Sequence, residues 1–397
     1  MAYYMQGDKF PKGGRRGMRG RGRGQQYFAT RTSDVLDRAV AADPDDVFIV
    51  RLPKNYLGPA PVFKHQVLGG YSLDEDKNLR FDQSSLRFLD RKYLPTHGQL
   101  KVNLDLNAGF AKASRYSGSI EQTFHSFLRW ILSNKEVLMT ETTPPRLAAD
   151  FIGIRNVFST IMRTQYSPGE IWSIDAVEFN GSIYMTTHTN RKLTYKTQHD
   201  LANKYEIYGH KIKQYITGGD PDDGVKPNKE YRSVVKLMVD QTSLLFAPLQ
   251  DCVDPGLYKK NFKDLSAFVK IKIAKIHRDN LRQWWIENTL NGIPRTIIGL
   301  RTNDGIVHTL KYYEARELLE DESEADVCVN FLVQFLTFVK TKMAADTKAE
   351  YRFVCERNGN IYCTKLPDSA RASLLPSWYT EKIFSKDTGS KCESKRK

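Results

Sequence analysis

Cysteine is scarce in this sequence, and its scarcity argues against two classes of protein. Only five of the 397 residues are cysteine, the number is odd, and no two have C-x-x-C spacing. A disulfide-stabilised secreted domain needs paired cysteines, and a thiolate zinc site needs closely spaced ones. The sequence therefore indicates free thiols in a reducing compartment.

Long apolar runs are also missing. No run reaches the roughly 18 residues that a membrane helix requires. The longest candidate, Val327 to Val339, is interrupted by Asn330, Gln334 and Thr337, and we interpret it as a buried helix. The N-terminus lacks the apolar core of a secretory signal. We therefore expect no membrane partner.

Recognisable catalytic motifs are absent as well. The eight histidines show neither H-E-x-x-H nor zinc-finger spacing. No glycine-rich phosphate loop follows a strand-like run, and no serine or cysteine nucleophile lies in a recognisable turn. Composition and motifs alone therefore indicate a mixed α/β protein without assigning it a reaction.

Positive charge is abundant, and it is concentrated in the two tails. The net charge is +14; residues 1–26 contain seven basic residues and one acidic residue, and residues 386–397 contain five and two. Basic tails usually contact polyanions, most often nucleic acid, although a tail that only promotes solubility is the alternative. The last seven residues, K-C-E-S-K-R-K, resemble a weak nuclear import signal, so we expect a nuclear protein.

The N-terminal tail contains low-complexity sequence, G-G-R-R-G-M-R-G-R-G-R-G, at residues 13–24. Such a stretch cannot bury a core, so we predict a disordered tail over residues 1–26. Arginine binds phosphate through paired hydrogen bonds and stacks on bases. We therefore predict RNA contacts, without sequence preference, from Arg15, Arg16, Arg19, Arg21 and Arg23. Residues 27–385 are predicted to form one domain, and residues 386–397 a basic C-terminal tail.

The central region mixes hairpin and helix signals. Asn180-Gly181, Asp304-Gly305 and Asn358-Gly359 each separate two strand-like runs, and such pairs tolerate the positive φ of type I′ turns. Ser119 and Gln122 predict a capping box at a helix start. Further helices are predicted over residues 278–290 and about 328–343. Hairpins interspersed with helices predict an α/β or α+β domain with antiparallel or mixed sheets.

Several stretches, taken in order along the chain, resemble the Rai1/DXO family of RNA decapping enzymes and 5′-to-3′ exoribonucleases. They are G-G-Y-S-L-D (69–74), L-R-F-D-Q-S-S-L-R-F (79–88), A-D-F-I-G-I-R-N (149–156), Y-G-H-K-I-K (208–213), L-L-F-A-P-L-Q-D-C-V-D-P (244–255), F-V-K-I-K-I-A-K (268–275), W-W-I-E-N-T-L-N-G-I-P (284–294), C-V-N-F (328–331) and L-P-S-W-Y (375–379). The resemblance implies a single α/β domain, with two mixed β-sheets flanked by helices and a cleft for RNA.

The resemblance also implies a site, and this sequence departs from it. The family holds Mg²⁺ or Mn²⁺ on acidic side chains, because hard cations need anionic oxygen ligands. Lys213, Leu249 and Lys270 stand where the family has glutamates. Four further positions complete the vestigial site: the retained Asp251 and Lys272, the arginine of the family segment at Arg155, and Glu287 in place of a glutamine.

These departures predict a lost catalytic site. Two unit positive charges about 4 Å apart repel each other by about 4 kcal/mol at an effective dielectric constant near 20. Two Glu-to-Lys replacements make the net charge of the site more positive by about four units. With only Asp251 kept among the family ligands, we expect no metal and no cofactor. Lysines can instead contact RNA phosphate. The predicted RNA-binding residues of the cleft are Arg155, Lys213, Lys270 and Lys272.

The function predicted from the resemblance is a catalytically inactive protein that binds or shields uncapped single-stranded RNA 5′ ends. This sequence resembles degenerate family members of insects, and that resemblance implies a role in nuclear germline piRNA precursor transcription, within a chromatin-bound complex containing Rhino and Deadlock. Two alternatives stay open. One is an active decapping or deNADding hydrolase that uses Mg²⁺ or Mn²⁺ and acids such as Glu178 or Glu287. The other is an accessory subunit of a 5′-to-3′ exoribonuclease, with an exposed apolar patch.

Several of these residues also have a purely structural interpretation. Lys270 and Lys272 would lie on a solvated strand face if the resemblance failed. Asp251 could simply neutralise Lys272, and Arg155 could pair with a structural carboxylate. The adjacent Trp284 and Trp285 are predicted to lie in the core rather than to stack on bases.

Overall fold

The computed structural model describes residues 44–94, 98–143, 145–188, 199–259, 261–274, 278–367 and 374–385. The predicted tails at 1–26 and 386–397, with the Arg-Gly arginines, lie outside the described residues. The domain boundary at residue 27 lies outside them as well. These remain predictions.

Strands provide most of the scaffold, in keeping with the hairpin signals of the sequence. The described residues contain sixteen: β1 (Val47–Phe48), β2 (Lys64–Leu73), β3 (Leu79–Arg80), β4 (Gln99–Asp105), β5 (Phe151–Gly153), β6 (Trp172–Phe179), β7 (Ser182–Thr187), β8 (Glu230–Val239), β9 (Thr242–Phe246), β10 (Leu249–Gln250), β11 (Cys252–Val253), β12 (Phe268–Ile273), β13 (Arg295–Arg301), β14 (Ile306–Glu314), β15 (Glu350–Cys355) and β16 (Ile361–Lys365).

The strands form two sheets. The larger has the order β1-β16-β15-β6-β7-β5-β9-β8-β2-β3, with β10 also pairing with β8, and the smaller has the order β11-β12-β13-β14-β4. The pairs β5–β7, β5–β9 and β12–β13 are parallel, and the other pairs are antiparallel. Two mixed sheets with flanking helices confirm the predicted fold class.

Helices cover the sheets. In the described part of the chain the α-helices are α1 (Ile120–Ser133), α2 (Lys135–Leu138), α3 (Arg155–Arg163), α4 (His199–Ile216), α5 (Arg278–Asn291), α6 (Ser323–Ala344) and α7 (Ser377–Thr380). The predicted capping box is confirmed at α1, where Ser119 Oγ accepts from the Gln122 N–H at 3.0 Å and Gln122 Oε1 accepts from the Ser119 N–H at 3.2 Å. Helix α6 begins five residues earlier than predicted, at Ser323.

Helix α6 contains the longest apolar run. By length and composition alone it could cross a membrane, and no other helix of the described segments could. Half of its most apolar window is buried within the structure, and Phe331, Leu332, Phe335 and Leu336 lie in the main core. The prediction of a buried helix is confirmed. Trp284 and Trp285 also lie in this core, as predicted.

All three glycine-containing turns join hairpin strands as predicted, but only one has two residues with positive φ. Asn180 and Gly181, with φ of 49° and 79°, form a two-residue turn between β6 and β7. In the other two hairpins only Gly305 and Gly359 adopt positive φ, because longer loops distribute the reversal over more residues. The type I′ expectation is therefore wrong for those two.

The segment from 242 to 253 crosses from one sheet to the other. Strand β9 ends before Pro248, which cannot donate to a ladder. Strand β10 then pairs with β8 in the larger sheet, whereas β11 pairs with β12 in the smaller, with Cys252 opposite Val269. Of the strands in this segment, only β11 therefore pairs with β12. Asp251 occupies the crossing point.

Candidate functional site

A buried carboxylate lies at the crossing between the sheets. The Asp251 side chain is 4% exposed, and its Oδ1 lies 2.7 Å from Lys213 Nζ. Its Oδ2 lies 3.8 Å from Lys270 Nζ and accepts the Ile271 N–H at 3.0 Å. One carboxylate thus joins helix α4, strand β12 and the sheet crossing.

The local folding of these elements accounts for the cluster. Helix α4 packs on the smaller sheet through Tyr208, Ile212 and Ile216, which lie in the same core cluster as Val269 and Ile271 of β12. Lys213, next to this apolar face, therefore reaches the sheet edge. On β12, alternation along the strand places Lys270 and Lys272 on the face opposite Val269 and Ile271.

The electrostatic interactions within the cluster favour the charged form of Asp251. Burial opposes the charge of Asp251, but Lys213, Lys270 and Lys272 outweigh it and hold the pKa of that carboxyl well below its usual range. Burial lowers the pKa of Lys270 to about 8, although Asp251 partly offsets this effect. Lys270 also donates to the Leu249 carbonyl oxygen. With Lys270 itself only 4% exposed, the solvated-strand interpretation is wrong for this lysine.

A second carboxylate completes the site. Glu287 on α5 lies 2.6 Å from Lys272 Nζ through Oε2, and its Oε1 lies 3.4 Å from Nη1 of Arg155, the first residue of α3. Burial opposes the charge of Glu287, but Lys272 and Arg155 hold the pKa of this carboxyl well below its usual range. Lys272 and Arg155 keep 23% and 22% of their side chains exposed.

The structure brings the seven predicted site residues together through these contacts. Lys270 and Lys272 lie two residues apart on β12 and link the Asp251 group to the Glu287 group. The partner expected for Asp251 was Lys272, whereas the partners in contact are Lys213 and Lys270. Arg155 does pair with a carboxylate, Glu287.

Glu178 lies elsewhere. It lines a separate cavity of about 510 Å³ beside the β6–β7 turn, together with Asn180, Lys348 and Glu350. None of the seven cluster residues lines that cavity. Burial raises the pKa of the Glu178 carboxyl. The expectation that Glu178 could act as an acid in the site is therefore wrong, because Glu178 lies away from the seven cluster residues.

The residues present do not fit a divalent metal ion. Two ammonium groups and the apolar Leu249 stand where the resemblance places glutamates, and both oxygens of Asp251 already contact cations or N–H groups. Within the described ranges, no three His, Cys, Asp or Glu side chains are grouped as metal ligands would be. A hard cation needs several anionic oxygens, and this cluster offers cations in their place.

Sequence reasoning missed three residues beside the site. Arg87, His210 and Gln250 border Asp251 and Lys213 in a small cavity. All three residues lie in segments that supported the family resemblance, 79–88, 208–213 and 244–255, but nothing in the sequence alone placed them side by side. The described cysteines, Cys252, Cys328, Cys355 and Cys363, are free and buried, in agreement with the thiol prediction.

Comparison with known proteins decides the family. A model of the RAI1-like PD-(D/E)XK nucleases matches residues 65–380. This chain belongs to that family. The decapping and exoribonuclease protein of Bos taurus is 28% identical over 360 residues, covering 83% of this chain and 88% of the bovine protein. The resemblance stated from the ordered segments is confirmed at the level of the family.

Solved RAI1 family structures share the fold. Candida albicans Rai1, solved with pU5 and Mn²⁺, superposes with a TM-score of 0.69 at 17% identity, covering 86% of this chain and 98% of that one. Rai1 of S. pombe gives a TM-score of 0.63 at 21% identity, covering 80% and 99%. These proteins and this RAI1 family chain therefore have the same architecture.

The Asp251 cluster predicts a specific stability change. Asp251→Asn should lower the free energy of unfolding by about 3–5 kcal/mol at pH 7, because it leaves buried cations without a counter-charge. Uncompensated burial depresses lysine pKa values in the folded state below the unfolded value. The folded state therefore binds fewer protons, and the stability of Asp251→Asn should rise as pH increases from 7 towards 10. Urea unfolding followed by fluorescence measures both effects.

A matched control separates charge from shape. The triple variant Lys213→Met/Asp251→Asn/Lys270→Met removes all three charges and should recover most of the lost stability. A loss below about 1 kcal/mol in the single variant, or no recovery with rising pH, would contradict a coupled ion cluster.

Proposed function

We propose that this RAI1 family chain is a catalytically inactive protein that binds RNA at or near an uncapped 5′ end. The supporting observation is the replacement of the family's metal-binding carboxylates by Lys213, Leu249 and Lys270 around a single remaining aspartate, Asp251. The two ammonium groups lie 2.7 Å and 3.8 Å from that aspartate, where they compete with any divalent ion.

The charge balance of the cluster favours an anion. Four cations, Arg155, Lys213, Lys270 and Lys272, face two carboxylates, and the excess positive charge attracts a phosphate group. A 5′ monophosphate carries more charge than an internal phosphate, so the terminal group gains most from this field.

Exposure divides the cations into two roles. Lys213, Lys272 and Arg155 keep 16%, 23% and 22% of their side chains exposed and can reach a phosphate directly. Lys270 has only 6% of its side chain exposed and already contacts Asp251 and the Leu249 carbonyl. In this proposal Lys270 contributes positive charge from its buried position. Direct contact with RNA would require Lys270 to leave Asp251 and the Leu249 carbonyl.

The cellular setting follows from the same degeneracy. The chain resembles Cutoff, an insect family member with a lost site that acts in nuclear piRNA precursor production. On that basis we propose a nuclear role in which bound 5′ ends are shielded, within a chromatin-bound complex containing Rhino and Deadlock. The basic C-terminal sequence supports nuclear import.

A second candidate is an accessory subunit of a 5′-to-3′ exoribonuclease. Four apolar side chains within residues 49–62 are exposed, namely Ile49 (66%), Leu52 (64%), Leu57 (54%) and Val62 (78%). Exposed apolar groups in one segment favour a protein contact. An accessory role depends on this segment and would survive neutralisation of the cleft cations, whereas RNA end binding depends on those cations.

The first prediction from the proposed function concerns metal binding. Isothermal titration with Mn²⁺ should show no saturable heat at millimolar concentrations, because cations occupy the ligand positions. The matched variant Lys213→Glu/Leu249→Glu/Lys270→Glu surrounds Asp251 with carboxylates and should gain a site. Saturable binding by the wild type, lost in Asp251→Ala, would instead favour the active-enzyme alternative.

RNA end preference is the second prediction. In competition between 5′-monophosphate and capped RNA of one sequence, the wild type should prefer the monophosphate. The double variant Lys213→Met/Arg155→Met, in which each carboxylate still retains one lysine, should lose this preference. Lys348→Met/Arg357→Met removes the same charge from exposed positions and should behave as wild type.

Two results of that competition would overturn the proposal. Equal affinity of the wild type for both ends, unchanged in the cleft variant, would show that the cleft does not bind RNA ends. Cleavage of either RNA by the wild type in Mn²⁺, abolished by Asp251→Ala, would show an enzyme.

The Arg-Gly tail gives the third prediction. Binding to phosphates releases counterions from the RNA, so deleting residues 1–26 should weaken binding to all single-stranded RNAs similarly. The log-log salt dependence of binding should flatten by about one unit for each phosphate that the tail no longer neutralises. An unchanged slope would assign the tail to protein partners or to solubility.

A further inference from the structure

Two neighbouring cavities share lining residues, and Lys213 borders the smaller of them. The inner cavity, of about 10 Å³, is bordered by Arg87, His210, Lys213 and Gln250. The outer cavity, of about 360 Å³, shares Arg87 and His210 with the inner one and continues to Lys226 and Gly219. Lys270, Lys272, Glu287 and Arg155 line neither. These spaces therefore share only Lys213 with the four cations on which the end-binding proposal rests.

Gln250 provides the first indication of a ligand. It is 4% exposed, and neither its side-chain nitrogen nor its oxygen has a hydrogen-bond partner within the described part of the chain. Leaving a buried amide unsatisfied costs about 1–3 kcal/mol, so such groups normally face water or a ligand. The amide borders the inner cavity, whose volume accommodates about one water molecule or one oxygen of a ligand.

Charge provides the second indication. Arg87, Lys213 and Lys229 border the inner cavity, together with the carboxylates of Glu230 and Asp251. Both carboxylates are already engaged by other cations: Glu230 accepts two bonds from Arg232, at 3.0 and 2.7 Å, and Asp251 also contacts Lys270. The inner cavity therefore has an excess of positive charge.

His210 adds no charge to this group. Burial, reinforced by Lys213 and Arg87, lowers the pKa of His210 to about 3, so the imidazole is neutral at physiological pH. A neutral imidazole can donate one hydrogen bond and accept another. Arg87 Nη2 donates to the Lys229 carbonyl oxygen at 3.0 Å, and Lys229 also lines both cavities.

The outer cavity differs from the inner one in its larger volume and its additional acidic residues. Glu75, Asp220 and Asp223 line it, and Glu75 lies 2.8 Å from Lys226. These carboxylates disfavour further phosphates, while a volume of about 360 Å³ lies within the range of about 300–1,000 Å³ that small-molecule sites occupy. A space of about 10 Å³ admits a single oxygen and not a whole phosphate. The pair of cavities therefore suits one phosphate oxygen at the inner end, with the rest of the phosphate and an uncharged nucleoside on the side of the outer cavity.

We propose that these cavities bind a nucleoside monophosphate, with the phosphate between Arg87 and Lys213, one oxygen directed at the Gln250 amide, and the nucleoside in the outer cavity. This deepens and rests on the proposed function, because the terminal nucleotide of an uncapped RNA has the same chemistry as the free mononucleotide. Arg87 lines both cavities, so the phosphate and its attached nucleoside are recognised together.

Ligand order tests the shape of the site. Titration of the full-length protein with AMP, ADP, ATP, adenosine and inorganic phosphate should show AMP binding at least as tightly as ATP. Adenosine and inorganic phosphate should each bind about tenfold or more weakly than AMP, since each lacks one half of the contacts. Tightest binding by ATP would indicate a general basic surface and overturn the proposal.

Two substitutions test the residues. Gln250→Leu and Arg87→Met should each weaken AMP binding by about tenfold, the loss expected for a hydrogen bond to a charged group. Arg87→Lys should recover part of the affinity, and Arg357→Met, an exposed arginine in the β15–β16 turn, should change nothing. Urea unfolding verifies that each variant folds. Should Arg87→Met fail to fold, Gln250→Leu and the ligand order decide the question, and unchanged AMP affinity in Gln250→Leu would overturn the assignment.

The two proposals fail in different ways. If AMP does not bind but 5′-monophosphate RNA is still preferred in a manner that depends on Arg155, the mononucleotide site is wrong and the proposed function stands. If AMP binds and responds to Arg87→Met while RNA shows no end preference, the cavity assignment stands and end binding is wrong.

Discussion

The Asp251 carboxylate holds together the point at which the chain leaves one sheet for the other. It accepts the Ile271 N–H of β12, contacts Lys213 of α4, and lies between β10 of the larger sheet and β11 of the smaller. A charge that is 4% exposed is tolerated only when it is paired and hydrogen-bonded. The geometry of the site therefore depends on the ammonium groups that surround this carboxylate.

This arrangement links structure to the proposed loss of catalysis. The RAI1 family architecture brings α4, β10, β12 and α5 together. In this chain α4 and β12 carry lysines, and β10 carries a leucine, where the resemblance places acids. Ion pairs between protein groups, Lys213 with Asp251 and Lys272 with Glu287, neutralise the carboxylates internally. The same fold can therefore hold these elements together without the ligands that a divalent ion requires, and Arg155, Lys213 and Lys272 keep part of their side chains exposed.

Local features were predictable because they depend on residues close in sequence. The capping box at Ser119, the turn at Asn180-Gly181, and the strand at Phe268–Ile273 follow from hydrogen bonds and alternation within a few residues. The residues of the site could be named from ordered segments that resemble a family. Their pairing could not, because which lysine contacts Asp251 depends on how α4 lies against β12, and the burial of Lys270 depends on both sheets.

The sequence by itself determined which residue types are present at the site and at the turn. They are lysine at 213 and 270, leucine at 249, a single aspartate at 251, and glycine where the β6–β7 turn needs positive φ. Only the tertiary structure decided how that charge is used. It placed the crossing between the sheets at Asp251, so that Gln250 and Cys252 join different sheets. It also enclosed Lys270, excluded Glu178 from the cluster, and left the Gln250 side chain without a hydrogen-bond partner among the described residues, beside Arg87 and His210. Each of these outcomes depends on contacts between residues far apart in the chain, and long-range packing, unlike turn and capping preferences, is not encoded in any short stretch of sequence.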